Sequence, residues 1–257
     1  MTLPSLTDWE VTREALHQAA LVLSPIKKLG VDPDEKFFHH VALHVAPEGL
    51  TTGTTASGGL LLNFMAGTVS YIPLKGQSLS ISLAGHTQIS LMDAILKTME
   101  QSGMKIEPDR GKINHDSPLH IDLHQASDYA SVLNTVYRAL SVFHGSLSGD
   151  RTEPVVFPHH FDLSFLWFNG TAENEQQPHV NFGFSPGDDS IPRPYLYGYA
   201  WDGKGFLDLQ VSEPLHHDPN YTGGVVLYYD DLRVSDNPGE MLKSALESIQ
   251  KAASPLW

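Results

Sequence analysis

Twice along this chain, a helical stretch, four short extended stretches and a second helical stretch follow one another in the same order. In the first half, Trp9, Leu16, Ala20 and Leu23 recur at helical spacing after Thr7-Asp8, which offers an N-cap. This helix is expected to end near Ser24-Pro25, because the residue before a proline is biased away from helix. Val41, Leu43 and Val45 then alternate with His40, Ala42 and His44, the period of a half-buried strand over Phe37–Val45. Leu60–Met65, Thr68–Leu74 and Ser78–Leu83 read as further strands divided by Gly67 and Gly76, and Leu91–Gln101 reads as a helix stopped by Gly103.

A polar, Pro- and Gly-containing stretch follows over Glu107–His124, and the order restarts. Ala126–His144 carries Tyr129, Val132, Val136, Leu140 and Phe143 on one helical stripe. Val155–Phe168 is expected as one long strand. Val180–Phe184, Tyr195–Trp201 and Gly224–Tyr229 supply three more, and Pro238-Gly239 opens a last helix over Glu240–Lys251. At a constant offset of 120, residues 8–45 lie on 128–165 without a gap and seven of 38 positions are identical, among them His39/His159 and His40/His160. The expected architecture is therefore α+β: two similar helix–four-strand–helix halves with mainly antiparallel sheets, packed as a pseudo-dimer. Their bounds are residues 1–106 and 126–257, with a linker over 107–125, forming one integrated unit. A sheet covered by helices on one face leaves its other face for a partner or a ligand, so the junction of the halves is the expected place for a cleft.

Composition narrows the partners. The chain has 16 Lys+Arg against 30 Asp+Glu, a net charge of −14. Lys27-Lys28 is the only basic doublet, so neither nucleic acid nor an anionic membrane surface is an expected partner. The 14 histidines match that charge in number, so acidification through their range should erase most of the self-repulsion. Cysteine is absent, which excludes disulfides, thiolate metal sites and a Cys nucleophile. The N-terminus MTLPSLTDWEV has neither a basic nor an apolar leader segment, and no apolar run reaches the ~18 residues of a membrane span, so a cytoplasmic location is expected.

Candidate chemistry is histidine- and tyrosine-based. His120-Ile121-Asp122-Leu123-His124, if extended, points three polar side chains to one face, with alternate positions about 7 Å apart. Imidazole with carboxylate suits zinc or iron, and this is the metal-like string of the chain. His40 and His160 are equivalent under the offset, and Asp162 lies two residues from His160. Tyr195, Tyr197 and Tyr199, spaced by two, line one strand face and with Trp201 form an aromatic wall. His216-His217-Asp218 sits in a Pro-flanked loop. No phosphate-binding loop, dinucleotide fingerprint, nucleophile elbow or H-E-x-x-H motif is present, and no motif names a cofactor.

Leu16-His17, then Phe38-His39-His40-Val41 running into Gly49-Leu50-Thr51-Thr52, resemble the N-terminal signature of an uncharacterised family of domain-of-unknown-function proteins of about this length. Phe161-Asp162-Leu163, Gly183-Phe184 with Pro186-Gly187, and Gly205-Phe206 resemble its C-terminal landmarks. Gly-Leu-Thr-Thr and Phe-Asp-Leu are the more specific strings. The chain departs from the pattern at Phe37-Phe38, where paired Trp is usual, and at Val155–Pro158, where a His–aromatic–Trp stretch is usual. The resemblance implies one integrated unit and brings no activity or cofactor with it.

The function expected on these grounds is non-catalytic small-molecule binding, with His40, His160, Tyr197, Tyr199 and Trp201 lining a cleft between the halves. One alternative is a metal-dependent hydrolase using His120, Asp122 and His124. Another is a scaffold or interaction protein with flat polar sheets. Oligomeric state is not legible from these features.

Overall fold

The computed structural model describes residues 3–168 and 170–256. Helix α1 (Glu10–Lys28) leads into strands β1 (His44–Ala46), β2 (Gly49–Thr51), β3 (Gly59–Asn63), β4 (Thr68–Ile72) and β5 (Leu79–Ser82), then helix α2 (Gln88–Gln101). Helix α3 (Leu123–Ser146) precedes β6 (Val155–Phe157), β7 (Asp162–Phe168), β8 (His179–Ser185), β9 (Tyr195–Trp201) and β10 (Gly224–Tyr228), followed by α4 (Tyr229–Val234) and α5 (Pro238–Ala252). The class is α+β. Two five-stranded sheets run in the orders β1-β2-β3-β4-β5 and β10-β9-β8-β7-β6, so each is a meander in chain order. Among the described residues no helix is long and apolar enough to cross a membrane.

The chain forms two compact units. One comprises Asp8–Asn134 with Val156–Phe161; the other comprises Thr135–Val155, the chain from Asp162 onward, and the N-terminal stretch through Thr7.

In the first of these, α1 buries Ala15, Leu16, Ala19, Ala20, Val22, Leu23 and Ile26, the stripe its spacing predicts. The helix does not end at Pro25 but runs three residues further, to Lys28. An interior proline costs one helical hydrogen bond and about 3 kcal/mol. Side-chain anchors on either side of it hold the last turn. Ser24 Oγ donates to the Val41 carbonyl at 2.9 Å, and the buried Lys27 ammonium donates to the carbonyls of His39 at 2.9 Å and Ala42 at 2.5 Å.

The expected strand over Phe37–Val45 is mostly turn. Phe38 stands at φ 58° and its N–H donates to Asp34 O at 3.0 Å, so extended pairing begins only at β1. The expected long strand over Val155–Phe168 is likewise divided. The Phe161 N–H donates to Phe157 O at 2.8 Å, closing a turn through Pro158-His159-His160, with Phe161 itself at φ 57°. A bulky residue in this region carries strain of order 1–3 kcal/mol. Burial of the Phe161 ring offsets it: the ring stacks on His17 at 5.3 Å and lies 5.9 Å from Tyr129 and 6.4 Å from Phe64. The separate strand β2 in the first sheet and the division of Val155–Phe168 into β6 and β7 in the second are why the sheets carry five strands each.

In the other unit, the strands from β7 to β10 separate their two faces by period-two alternation. Leu163 and Phe165 of β7 pair with Phe184 and Phe182 of β8, and Phe182 and Phe184 pair with Gly198 and Leu196 of β9. This face is apolar and covered by helices. Phe143 of α3 meets Phe182 at 5.0 Å, and a Cβ at Gly198 would lie 2.7 Å from Ile249 of α5. The opposite face carries the alternate residues, and these are polar and aromatic.

Candidate ligand-binding face

That opposite face is built from Asp162 and Ser164 of β7, His179, Asn181, Gly183 and Ser185 of β8, and Tyr195, Tyr197 and Tyr199 of β9. Asn181 pairs with Tyr199, Gly183 with Tyr197 and Ser185 with Tyr195. A Cβ on Gly183 would fall 2.2 Å from Tyr197 Cζ, so the missing side chain is what lets Tyr197 lie across β8. The Tyr197 hydroxyl thereby reaches β7 and donates to the Asp162 carboxylate.

The remaining tyrosines assemble around this contact. The Tyr221 ring, on the segment before β10, lies 5.5 Å from Tyr197 and 5.9 Å from Tyr195. Tyr195 donates to Asp188 Oδ2 at 3.3 Å. The Tyr199 hydroxyl accepts from Asn181 Nδ2 at 3.2 Å, and its ring meets His179 at 5.8 Å and Phe206 at 5.2 Å. Trp201 continues the wall against Phe206 at 5.3 Å and donates through Nε1 to Gln176 O at 3.3 Å.

Electrostatics keep every one of these phenols neutral. Burial pushes Tyr195 up to about 12, with the Asp188 and Asp162 carboxylates adding to the effect. Burial and the same Asp162 carboxylate raise Tyr197, Tyr199 and Tyr221. Burial lowers the pKa of His179, so its imidazole is neutral near pH 7. Two polar atoms on this face stand out: His179 Nε2 and Asn181 Oδ1 are buried and have no hydrogen-bond partner. Buried polar atoms are almost always satisfied, so this pair is an exception within the face.

The sequence-predicted residues are distributed as follows. Tyr197 and Tyr199 are brought together on this face with Trp201 at its end. His40 and His160 belong to the other unit. His40 is buried, with Nδ1 2.8 Å from Asp34 O, and serves the turn before β1. His160 lies in the turn before β7, its ring 4.2 Å from that of His159. Neither stands in a strand, so alternation of faces does not apply to them. The string at His120 is not extended, because α3 begins at Leu123. Asp122 caps that helix, its Oδ1 accepting from His124 N at 2.8 Å and Gln125 N at 3.1 Å. The exposed His124 side chain turns to Asp128, 3.1 Å away, and His120 is exposed. Among the described residues no group of three or more His, Cys, Asp or Glu is placed to hold a metal ion. In the His216 loop, His217 is engaged by the carbonyls of Gly224 and Leu209, and Asp218 accepts from the Tyr228 hydroxyl.

A small cleft in the first unit is lined by Lys27, Thr52, Thr55, Ser57, Tyr71 and Met99. It has room for about one water molecule, and its ammonium is committed to the turn carbonyls described above.

Asn181, His179 and Tyr221 are the residues of this candidate face that sequence reasoning missed. A signal for two of them was present: His179, Asn181, Gly183 and Ser185 alternate with Val180, Phe182 and Phe184, and asparagine is depleted in strands unless it has work there.

Comparison with curated proteins and with solved structures gives no match. A family model does match, over residues 2–256. The chain belongs to that family, a family of unknown function designated DUF5996.

Proposed function

We propose that this protein is a non-catalytic small-molecule binding protein, and that its site is the polar, aromatic face of β7, β8 and β9. The observation that carries the reading is the pair of buried, partnerless atoms, His179 Nε2 and Asn181 Oδ1, beside an array of four tyrosines. Ligand sites join apolar walls to a few placed polar groups, and this face has both. Phenols held neutral well above pH 7 serve as donors and stacking surfaces, not as bases or nucleophiles, which supports binding over catalysis. The two halves share the order helix, five-strand meander, helix, and descent from one duplicated unit accounts for that order.

A thermal-shift screen of a chemically diverse library tests the proposal. A ligand present at 100 times its Kd should stabilise the fold by about 2.7 kcal/mol. The shift should vanish in Tyr199→Ala, and the ligand should be recovered unchanged by mass spectrometry. A library without a single Tyr199-dependent hit removes this reading, and a chemically altered ligand removes its non-catalytic part.

A further inference from the structure

Resting on that binding reading, we infer that the group bound at the His179–Asn181 end of the face is an organic cation with N–H donors, a primary ammonium or a guanidinium. The tautomer of His179 is fixed by its backbone partner. Its Nδ1 lies 2.8 Å from the Gln177 carbonyl, which can only accept, so Nδ1 carries the proton. Burial keeps the ring neutral, so Nε2 presents a bare lone pair. Asn181, with its amide oriented to donate to the Tyr199 hydroxyl, presents Oδ1 in the same way. Both side chains are more than nine-tenths buried, at 5% and 8% exposure. The two partnerless atoms are therefore both acceptors, and what they lack is a donor.

Two acceptors two residues apart on one strand face are separated by about 7 Å at their backbones. Serving both calls for a group with more than one donor, each hydrogen bond about 2.9 Å long. Charge is selected by the surroundings. The rings of Phe168 and Tyr199 lie 5.7 and 5.8 Å from the His179 ring, and aromatic faces attract cations. The Asp162 and Glu175 carboxylates both act on Tyr199, the cross-strand neighbour of Asn181, so negative potential reaches this end of the face. None of β7, β8, β9 and β10 contains a Lys or Arg. An anionic group would meet acceptors and a carboxylate at once. A neutral hydroxyl would satisfy the acceptors but gain nothing from the rings or the charge.

Four probes of similar size separate these terms: butylammonium, butylguanidinium, tetramethylammonium and butyrate, with butanol as the neutral comparison. Binding is read by calorimetry on the full chain and by the imidazole ¹⁵N signal of His179. Butylammonium or butylguanidinium should bind at least about tenfold more tightly than the other three and move the His179 Nε2 signal while Nδ1 stays protonated. His179→Phe and Asn181→Leu should each weaken binding about tenfold or more while the chain stays folded, since each removes an unsatisfied buried acceptor together with the one hydrogen bond the side chain makes. Tetramethylammonium binding as tightly overturns the donor requirement. Butanol or butyrate binding more tightly overturns the cation. In either case the face stands as a binding site and only the ligand class falls. If no probe binds, the inference is overturned; if the library screen is also blank, the binding reading falls with it. Because the ¹⁵N measurement uses the wild-type protein, misfolding of a variant cannot rescue the inference.

Discussion

The hydroxyl of Tyr197 on β9 donates to the carboxylate of Asp162 on β7, passing over the bare backbone of Gly183 on the strand between them. Three strands thus cooperate in one hydrogen bond, and each can be tested. Tyr197→Phe should cost about 1.5–3 kcal/mol, the usual range for a hydrogen bond to a charged group. Gly183→Ala should destabilise through overpacking by about 1–3 kcal/mol, because its Cβ would overlap the Tyr197 ring. In a double-mutant cycle with Tyr197→Ala the Gly183→Ala penalty should largely disappear. Additive costs in urea denaturation would show that the ring does not need the glycine.

The other side of the same sheet has its own close approach, Gly198 against Ile249 of α5. Gly198→Ala should lower stability by about 1–3 kcal/mol, and in the Ile249→Ala background, which lacks all three contacting carbons, that penalty should largely disappear. The effect should appear in stability alone, with ligand binding on the polar face unchanged.

Asp122 separates a helix-capping role from a metal-ligating one. Asp122→Ala should destabilise by about 1 kcal/mol, since it strips the α3 N-terminus of its acceptor. Asp122→Asn should recover most of that loss, because an amide oxygen caps equally well. Both effects should be the same with and without a chelator. A chelator-dependent difference would return the His120–His124 string to consideration as a metal site.

Much of the fold is legible in the sequence because its signal is local. Alternation finds β3, β4, β5, β8, β9 and β10, and helical spacing finds all the long helices. The misreadings come from long-range contacts that override local preference. Pro25 stays inside α1 because Ser24 and Lys27 are tied to a turn more than ten residues away. The strand before Phe168 breaks because Phe161 gains more from burial against Phe64 and Tyr129 than it loses in a left-handed backbone. The site divides in the same way. Tyr197 and Tyr199 can be grouped from their spacing alone, being two apart on one strand. Alternation puts Asn181 on the same face as His179, but its pairing with Tyr199, and that of Asp162 with Tyr197, follows from the register between strands, which spacing within one strand does not give.

Acid should weaken the fold itself, and not only the charge repulsion between molecules. His17, His144, His159 and His179 all have lowered pKa values, in each case chiefly through loss of solvent. His159 is lowered to about 4, with His160, Lys112 and His17 adding positive charge around it. Each imidazole binds its proton less tightly folded than unfolded, where the value is about 6.5. Below that value the unfolded chain takes up more protons than the folded one, so stability falls with pH. The stabilisation is complete above about pH 6.5, and for His159 its loss continues down to about pH 4. Urea denaturation at low protein concentration from about pH 7.5 to about pH 4.5 should show the midpoint declining throughout the lower part of that range. Replacing the buried His179 with Asn should make the decline shallower. Self-association should also rise toward the isoelectric point of 5.3, but added salt distinguishes the two effects. Screening blunts repulsion between exposed charges within a Debye length of about 8 Å at physiological strength, whereas it leaves the desolvation of the buried His179 imidazole almost unchanged. A urea midpoint that stays level from neutral pH to pH 4.5 would mean that these histidines pick up protons as readily in the folded protein as in the unfolded chain.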